Sequence, residues 1–385
     1  MKKKLAIYIH IPFCVRKCAY CDFLSAPATQ ELQKQYVGAL VREIRDWEKW
    51  YPGRKDSYLV GSVFFGGGTP SILQPGLLAG VADAVRDSFE IACDAEITVE
   101  CNPGTLDAEK LRVYRAVGVN RLSIGLQSSE NEELLLLGRI HTWEDFLKSY
   151  ALAREAGFDN LNIDLMSALP GQTLQSWQNT LHKVLALQPE HISAYSLIIE
   201  EGTPFYERYG GKESTMLPDE DTERRMYAGT GQILKETGYH RYEISNYALP
   251  GRECRHNICY WDGTEYLGFG TGAASLFGKE RFCRIRDTQE YIAAVTNGTD
   301  TRIERNARSK KEHMEEFMFL GLRMMRGISK AEFADCFGVT MDKVYSAVLK
   351  KYISYGLLRE DGDRIFLTPE GIDVSNVIFQ EFLLD

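Results

Sequence analysis

The 385-residue chain contains no uninterrupted apolar run of about 18 residues, so no segment is expected to span a bilayer. It has no basic surplus either. Its 45 Lys and Arg against 54 Asp and Glu give a formal net charge of -9, which favours solubility and argues against a generally basic nucleic-acid surface. Nine cysteines are too sparse for a disulfide scaffold. The opening MKKKLAIYIHIPFC offers lysines and a short apolar run, as a signal peptide does, but the run stops at Pro12 and Cys14 with no cleavage signature. The expectation is a soluble cytoplasmic protein, with peripheral association at the inner face of the membrane left open.

What is present is a rhythm. LAIYI (5–9), SVFF (62–65), EITVE (96–100), RLSIG (121–125), LNIDL (161–165) and HISAYSL (191–197) read as strands. Helical stretches near 30–50, 74–88, 107–117, 142–156, 173–187 and 219–237 follow them in turn. Such alternation indicates an α/β protein with a parallel sheet. Glycines and polar residues at the strand exits suit a partial (β/α)6 barrel with its site at the C-terminal rim. A doubly wound open sheet is the structural alternative.

Three regions follow: 1–240 as the partial barrel, 241–309 as a glycine- and aromatic-rich cover, and 310–385 as a small winged-helix-like α+β region. In the last, helices at 311–325, 330–336 and 340–355 precede a hairpin about Asp361-Gly362-Asp363. Its acidic character favours packing or partner contact over nucleic acid.

Three of the cysteines fall within eight positions: Cys14, Cys18 and Cys21, just after the first strand. Clustered thiols in a reducing compartment are metal ligands more often than bridges. A [4Fe–4S] cubane normally takes four protein ligands, so three leave one iron open for the amino and carboxylate groups of S-adenosylmethionine. Zinc is the competing reading, but it usually wants a fourth Cys or His, and no second pair lies close by. His10 is available, although its place near the strand end also suits packing beside the cluster.

C-x3-C-x2-C on the first strand-to-helix loop resembles the radical SAM superfamily. YIHIPFCVRKCAYCDF, FFGGGTPS, VECNPG and LSIGLQS resemble its coproporphyrinogen III oxidase-like branch, almost end to end. The resemblance implies a [4Fe–4S] cluster on Cys14, Cys18 and Cys21. It also implies a S-adenosylmethionine pocket of Tyr8, Gly67, Gly68, Thr69, Glu100, Gln127, Arg139 and Asp164.

On the residues alone, Tyr8 is also a candidate barrel-core aromatic. Gly66–Thr69 also reads as a tight turn, though not as a P-loop, since no Gly-Lys-Ser/Thr follows. Arg139 fits a helix-end salt bridge equally well. One departure stands out: Phe23 occupies the position where the oxidases carry a further cysteine. The chain also begins only seven residues before Tyr8, where the oxidases have a longer leading segment.

Late in the chain, RHNICYW resembles the HNxxYW signature of a heme-chaperone group in that branch. The resemblance implies a heme site at His256, Asn257, Tyr260 and Trp261; taken alone, His256 also reads as a structural histidine. The expected function is a heme chaperone that binds heme and S-adenosylmethionine and delivers heme to respiratory-chain proteins. Expected partners are an acceptor such as a cytochrome or respiratory complex, a reducing electron donor and a second copy as a homodimer, with no nucleic acid. The alternative is an oxygen-independent coproporphyrinogen III oxidase making protoporphyrinogen IX. A cluster-bearing regulator acting through the terminal region is the third reading.

Overall fold

The computed structural model describes residues 2–210 and 216–384. Met1, residues 211–215 and Asp385, which belong to the expected regions 1–240 and 310–385, lie outside the described residues. Six parallel strands carry the first half: β1 (Lys3–Ile11), β2 (Tyr58–Gly67), β3 (Ile91–Cys101), β4 (Arg121–Gln127), β5 (Leu161–Ser167) and β6 (His191–Ser196). They lie side by side in sequence order, with no reversal at any point. A doubly wound sheet needs such a reversal. The order is that of a curling β/α arc, and β1 and β6 are not paired with each other.

Helices Gln30–Arg45, Pro75–Ser88, Ala108–Ala116, Trp143–Glu155, Leu174–Leu185 and Glu220–Glu236 accompany the strands. Their starts are set locally. Thr142 and Thr173 each open a helix with a reciprocal capping box, and Asp107 and Asp219 accept backbone N–H groups three residues on.

Alternation along the strands divides two environments. Leu5, Ile7, Ile9 and Ile11 of β1 join Val63, Phe65, Val99, Leu122, Ile124, Ile163 and Ile192 in the main hydrophobic core. The intervening positions carry Tyr8, His10, Ser62, Glu96, Glu100, Arg121, Ser123, Asn162, Asp164 and Ser193, polar groups that most barrels replace with Val, Ile and Leu. A polar interior of this kind needs hydrogen-bond partners, and it defines where the site lies.

The cover segment, whose glycine and aromatic content reads as loops with short strands over the barrel, has such strands, and they join the main sheet. It begins with β7 (His240–Arg241) and β8 (Asn246–Ala248), which continue the sheet beyond β6. Strands β9 (Tyr266–Phe269), β10 (Ala274–Phe277), β11 (Glu280–Arg284) and β12 (Arg302–Ala307) extend it beyond β1. An almost fully buried ion pair, Arg284 Nε to Glu43 Oε1 at 3.3 Å, ties β11 to the first helix.

The HNxxYW residues form a helix, Arg255–Trp261. Its first N–H groups, from Arg255 and His256, donate to the buried Glu96 carboxylate at 3.1 Å each. Arg255 also reaches Asp94, near the start of β3, so this helix lies toward the N-terminal ends of the strands, away from the cysteines.

Residues from Lys310 onward have their own core, including Met318, Phe333, Phe337, Tyr345, Leu349 and Ile365. Helices Lys310–Gly321, Lys330–Phe337 and Met341–Ser354 pack with a three-stranded sheet of β13 (Ile328–Ser329), β14 (Leu358–Asp361) and β15 (Arg364–Leu367). The hairpin between the last two turns at Gly362, whose φ of 57° suits glycine.

Candidate functional site

At the C-terminal ends of the strands lies a cavity of about 460 Å³. Its walls carry Cys14, Cys18 and Cys21 together with Gly67, Gly68, Thr69, Glu100, Gln127, Arg139 and Asp164. Residues spread over 150 positions of sequence thus share one opening, because most sit in the C-terminal half of a strand or on the loop that leaves it.

The cysteine loop is anchored at its edges. Cys14 N–H donates to Ala26 O at 3.2 Å and Ala26 N–H to Pro12 O at 2.9 Å, while Cys21 N–H turns back on Cys18 O at 3.3 Å. Burial pushes the Cys14 and Cys21 thiols up from their ordinary range. No three Cys, His, Asp or Glu side chains among the described residues are gathered closely enough to hold a metal ion. A single tetrahedral zinc draws its sulfurs to about 2.3 Å from one centre. A cubane places its thiolates on separate irons, so three thiols around a wide cavity suit it better.

His10 stands beside the loop rather than in it. Its Nε2 lies 2.9 Å from Leu24 O, an acceptor only, so Nε2 carries the proton and Nδ1 accepts from the Tyr8 hydroxyl at 3.1 Å. The glycines fit tightly against the same region. A Cβ on Gly68 would lie 2.5 Å from Phe13 O, and one on Gly67, whose φ is 115°, 2.6 Å from the His10 ring. Only glycine lets the strand exit approach the cysteine loop this closely.

The polar wall suits a ligand with both signs of charge. Glu100 accepts the Gly67 N–H at 3.1 Å, yet its carboxyl is pushed up to about 8 by burial and then by the charge of Asp164. Asp164 is raised by burial against bonds from Asn162 (2.7 Å) and Ser123 (3.1 Å). Two carboxyls disfavoured as anions in this way are relieved by a cation placed between them. Arg139 is held by Gly125 O at 2.6 Å and Asn102 Oδ1 at 2.7 Å, with Cys18 Sγ at 3.7 Å, while its buried Nε has no partner. Gln127 has a φ of 75°, at an irregularity in the β4–β5 pairing, which turns the chain out of the sheet at the rim. The ammonium, sulfonium and carboxylate of S-adenosylmethionine match this donor set.

A second, inner chamber of about 220 Å³ lies within the arc, lined by Tyr8, Phe64, Arg121, Asn162, His256, Asn257 and Tyr260 among others. It shares Glu100, Ser123, Asp164 and Tyr195 with the outer cavity. His256 is 1% exposed and stacks on Phe64 at 5.0 Å. Its Nδ1 meets Ser62 Oγ at 3.0 Å and its Nε2 meets Tyr260 OH at 3.0 Å, so both nitrogens are occupied. Trp261 faces the other way, under the Arg323 guanidinium at 4.4 Å.

Several contributors escaped the sequence reading. Arg121 is buried at 2% exposure, with no ion pair or side-chain hydrogen bond among the described residues. Asn102 links Thr69 (2.7 Å) to Arg139 (2.7 Å). Ser123, Asn162 and Ser193 line the inner chamber. For two strands the alternation carries a signal: Arg121 and Ser123 lie two apart on β4, and Asn162 lies two before Asp164 on β5.

A parallel β/α arc with three thiols and a polar, glycine-walled cavity at its C-terminal mouth is the architecture of a radical SAM protein. The profile of that superfamily matches residues 8–184, and the profile of the HemN C-terminal domain matches residues 309–374. The chain is 36% identical to the heme chaperone HemW of Lactococcus lactis over 385 residues, covering 100% of this chain and 99% of that one. To HemW of Bacillus subtilis it is 37% identical, covering 98% of each.

Among solved structures, the coproporphyrinogen III oxidase HemN of Escherichia coli matches 99% of this chain and 90% of its own, with a TM-score of 0.86 and 24% identity. That likeness concerns the fold. The chain belongs to the HemW family of the radical SAM superfamily. Membership implies a [4Fe–4S] cluster and S-adenosylmethionine as cofactors.

Proposed function

We propose that the protein is a heme chaperone, which holds heme and passes it to an apo-acceptor of the respiratory chain such as a cytochrome. The observation that carries this reading is full-length similarity to HemW proteins, extending through the cover segment and the terminal region. In this proposal Cys14, Cys18 and Cys21 hold the cluster. Gly67, Gly68, Thr69, Glu100, Gln127, Arg139 and Asp164 receive S-adenosylmethionine, with Tyr8 behind them. When bound, the cluster and S-adenosylmethionine supply one-electron chemistry.

The chain's own part is to orient and exclude water. Tyr8 and His10 brace the loop, Glu100 and Asp164 offer charge to a cationic ligand, and Arg139 offers a donor fork to an anionic one. A reducing electron donor, a homodimer, and a cytoplasmic location at the inner face of the membrane complete the proposal. No helix among the described residues is long and apolar enough to cross a membrane.

The test is transfer. Heme-loaded protein mixed with an apo-cytochrome should yield the holo-cytochrome spectrum, and a protein that takes up no heme sinks the reading. The complete S-adenosylmethionine pocket favours a second reading, radical decarboxylation of coproporphyrinogen III. Anaerobic incubation with substrate and reductant separates the two: protoporphyrinogen IX appears only under the second.

A further inference from the structure

We infer that the heme rests on the outer rim of the barrel mouth, its macrocycle against Phe23 and Ile198 and its propionates turned toward Arg16 and Lys17. This assignment rests on the heme-chaperone reading. Large apolar side chains left in water are unremarkable when scattered singly. Here they converge. Phe23 of the cysteine loop is 63% exposed, Ile198 beyond β6 is 69% exposed, and both line the outer cavity. Tyr195, 38% exposed, lies on the same wall, while Val15 (58%) and Ile140 (59%) flank the adjoining groove beside Cys18 and Arg139.

The charges suit a flat apolar ligand with two carboxylates on one edge. Arg16 and Lys17 are exposed at the cavity wall, and neither forms an ion pair or side-chain hydrogen bond among the described residues. Asp22 and Glu200 share that wall. They repel the propionate edge and favour the orientation in which it faces the two cations.

The interior offers no equivalent place. The inner chamber, at about 220 Å³, is smaller than the roughly 300–1,000 Å³ of ordinary ligand pockets and is lined by polar groups. His256 cannot present a free nitrogen there without giving up Ser62 or Tyr260. The rim leaves the polar floor of the mouth to S-adenosylmethionine and exposes one face of the macrocycle to an acceptor.

The experiment titrates heme into full-length, cluster-reconstituted protein, reading the Soret band, with iron content and S-adenosylmethionine binding measured on the same samples. Phe23→Asp combined with Ile198→Asp should weaken heme by at least about tenfold. The pair Arg16→Glu and Lys17→Glu should weaken heme several-fold but leave heme dimethyl ester unchanged. His256→Gln should bind heme like the wild type. Iron and S-adenosylmethionine binding should hold throughout; Ile198→Asp alone, away from the cysteine loop, serves if the double variant loses its cluster.

Wild-type heme affinity in the rim variants overturns the assignment. So does a change confined to transfer or to self-association, which would make the rim a protein-docking face. Wild-type protein that binds no heme overturns the chaperone reading as well, so the two failures are distinguishable.

Discussion

At the C-terminal ends of the strands, the side chains of Arg16, Lys17 and Phe23 stand in solvent, the first two with no ion pair or side-chain hydrogen bond among the described residues, around thiols that face a shared cavity. Toward the N-terminal ends, Glu96 accepts bonds from Cys254 and from the N–H groups of Arg255 and His256, and the His256 ring is bonded at both nitrogens. One region keeps its bonding capacity in reserve, as a binding site does. The other has used it to close the barrel. A conspicuous motif such as HNxxYW is therefore not evidence of a ligand until its hydrogen bonds have been counted.

The sharpest contrast comes from the cysteines. Cys14→Ser, Cys18→Ser or Cys21→Ser should lower iron from about four per chain to near none after anaerobic reconstitution, with folding retained. A retained cluster would break the account of the mouth. At the other end, Glu96→Ala should lower the unfolding free energy by about 3 kcal/mol in urea, because it strands buried N–H donors. If instead it leaves stability intact and removes a bound ligand, the comparison reverses.

Acid should weaken both ends. Burial pushes His256 down to about 3 and His141 to about 4, both from an ordinary 6.5. The unfolded chain then binds more protons than the folded one between those values, so stability rises with pH. The stabilising contribution is present above about pH 6.5 and is lost as pH falls toward the folded values, by up to about 1.4 kcal/mol per pH unit for each group. In His256→Gln, urea midpoints between pH 4 and 6.5 should lose one such contribution; an unchanged slope would place the imidazole in water.

Gly68→Ala should weaken S-adenosylmethionine by about tenfold, by displacing the Phe13 carbonyl that a new Cβ would meet. The smallest effect belongs to the exposed rim. Phe23→Ser should change stability by no more than about 0.5 kcal/mol, and a larger loss would make it a packing residue.

Much of this was legible in the chain. Apolar runs ended by glycine or polar residues marked the six parallel strands, although β1 runs from Lys3 to Ile11 rather than over 5–9, since pairing with β2 continues past the predicted run. The helix Arg255–Trp261 lies in a segment whose glycine and aromatic content reads as loops with short strands. RHNICYW has no clear apolar period, and its start is stabilised by Glu96, about 160 positions away. Arg121 was hidden differently: it opens a strand, where an arginine ordinarily points to solvent.

The sequence by itself determined the cluster loop and the order of the β/α units. Those depend on neighbours within eight residues and on the local periods of strand and helix. Tertiary structure alone decided which interior groups face each cavity, that His256 is enclosed on the floor, and that Phe23 and Ile198 line the same mouth. Such relations join residues far apart in the chain, and only the curl of the sheet sets their distance.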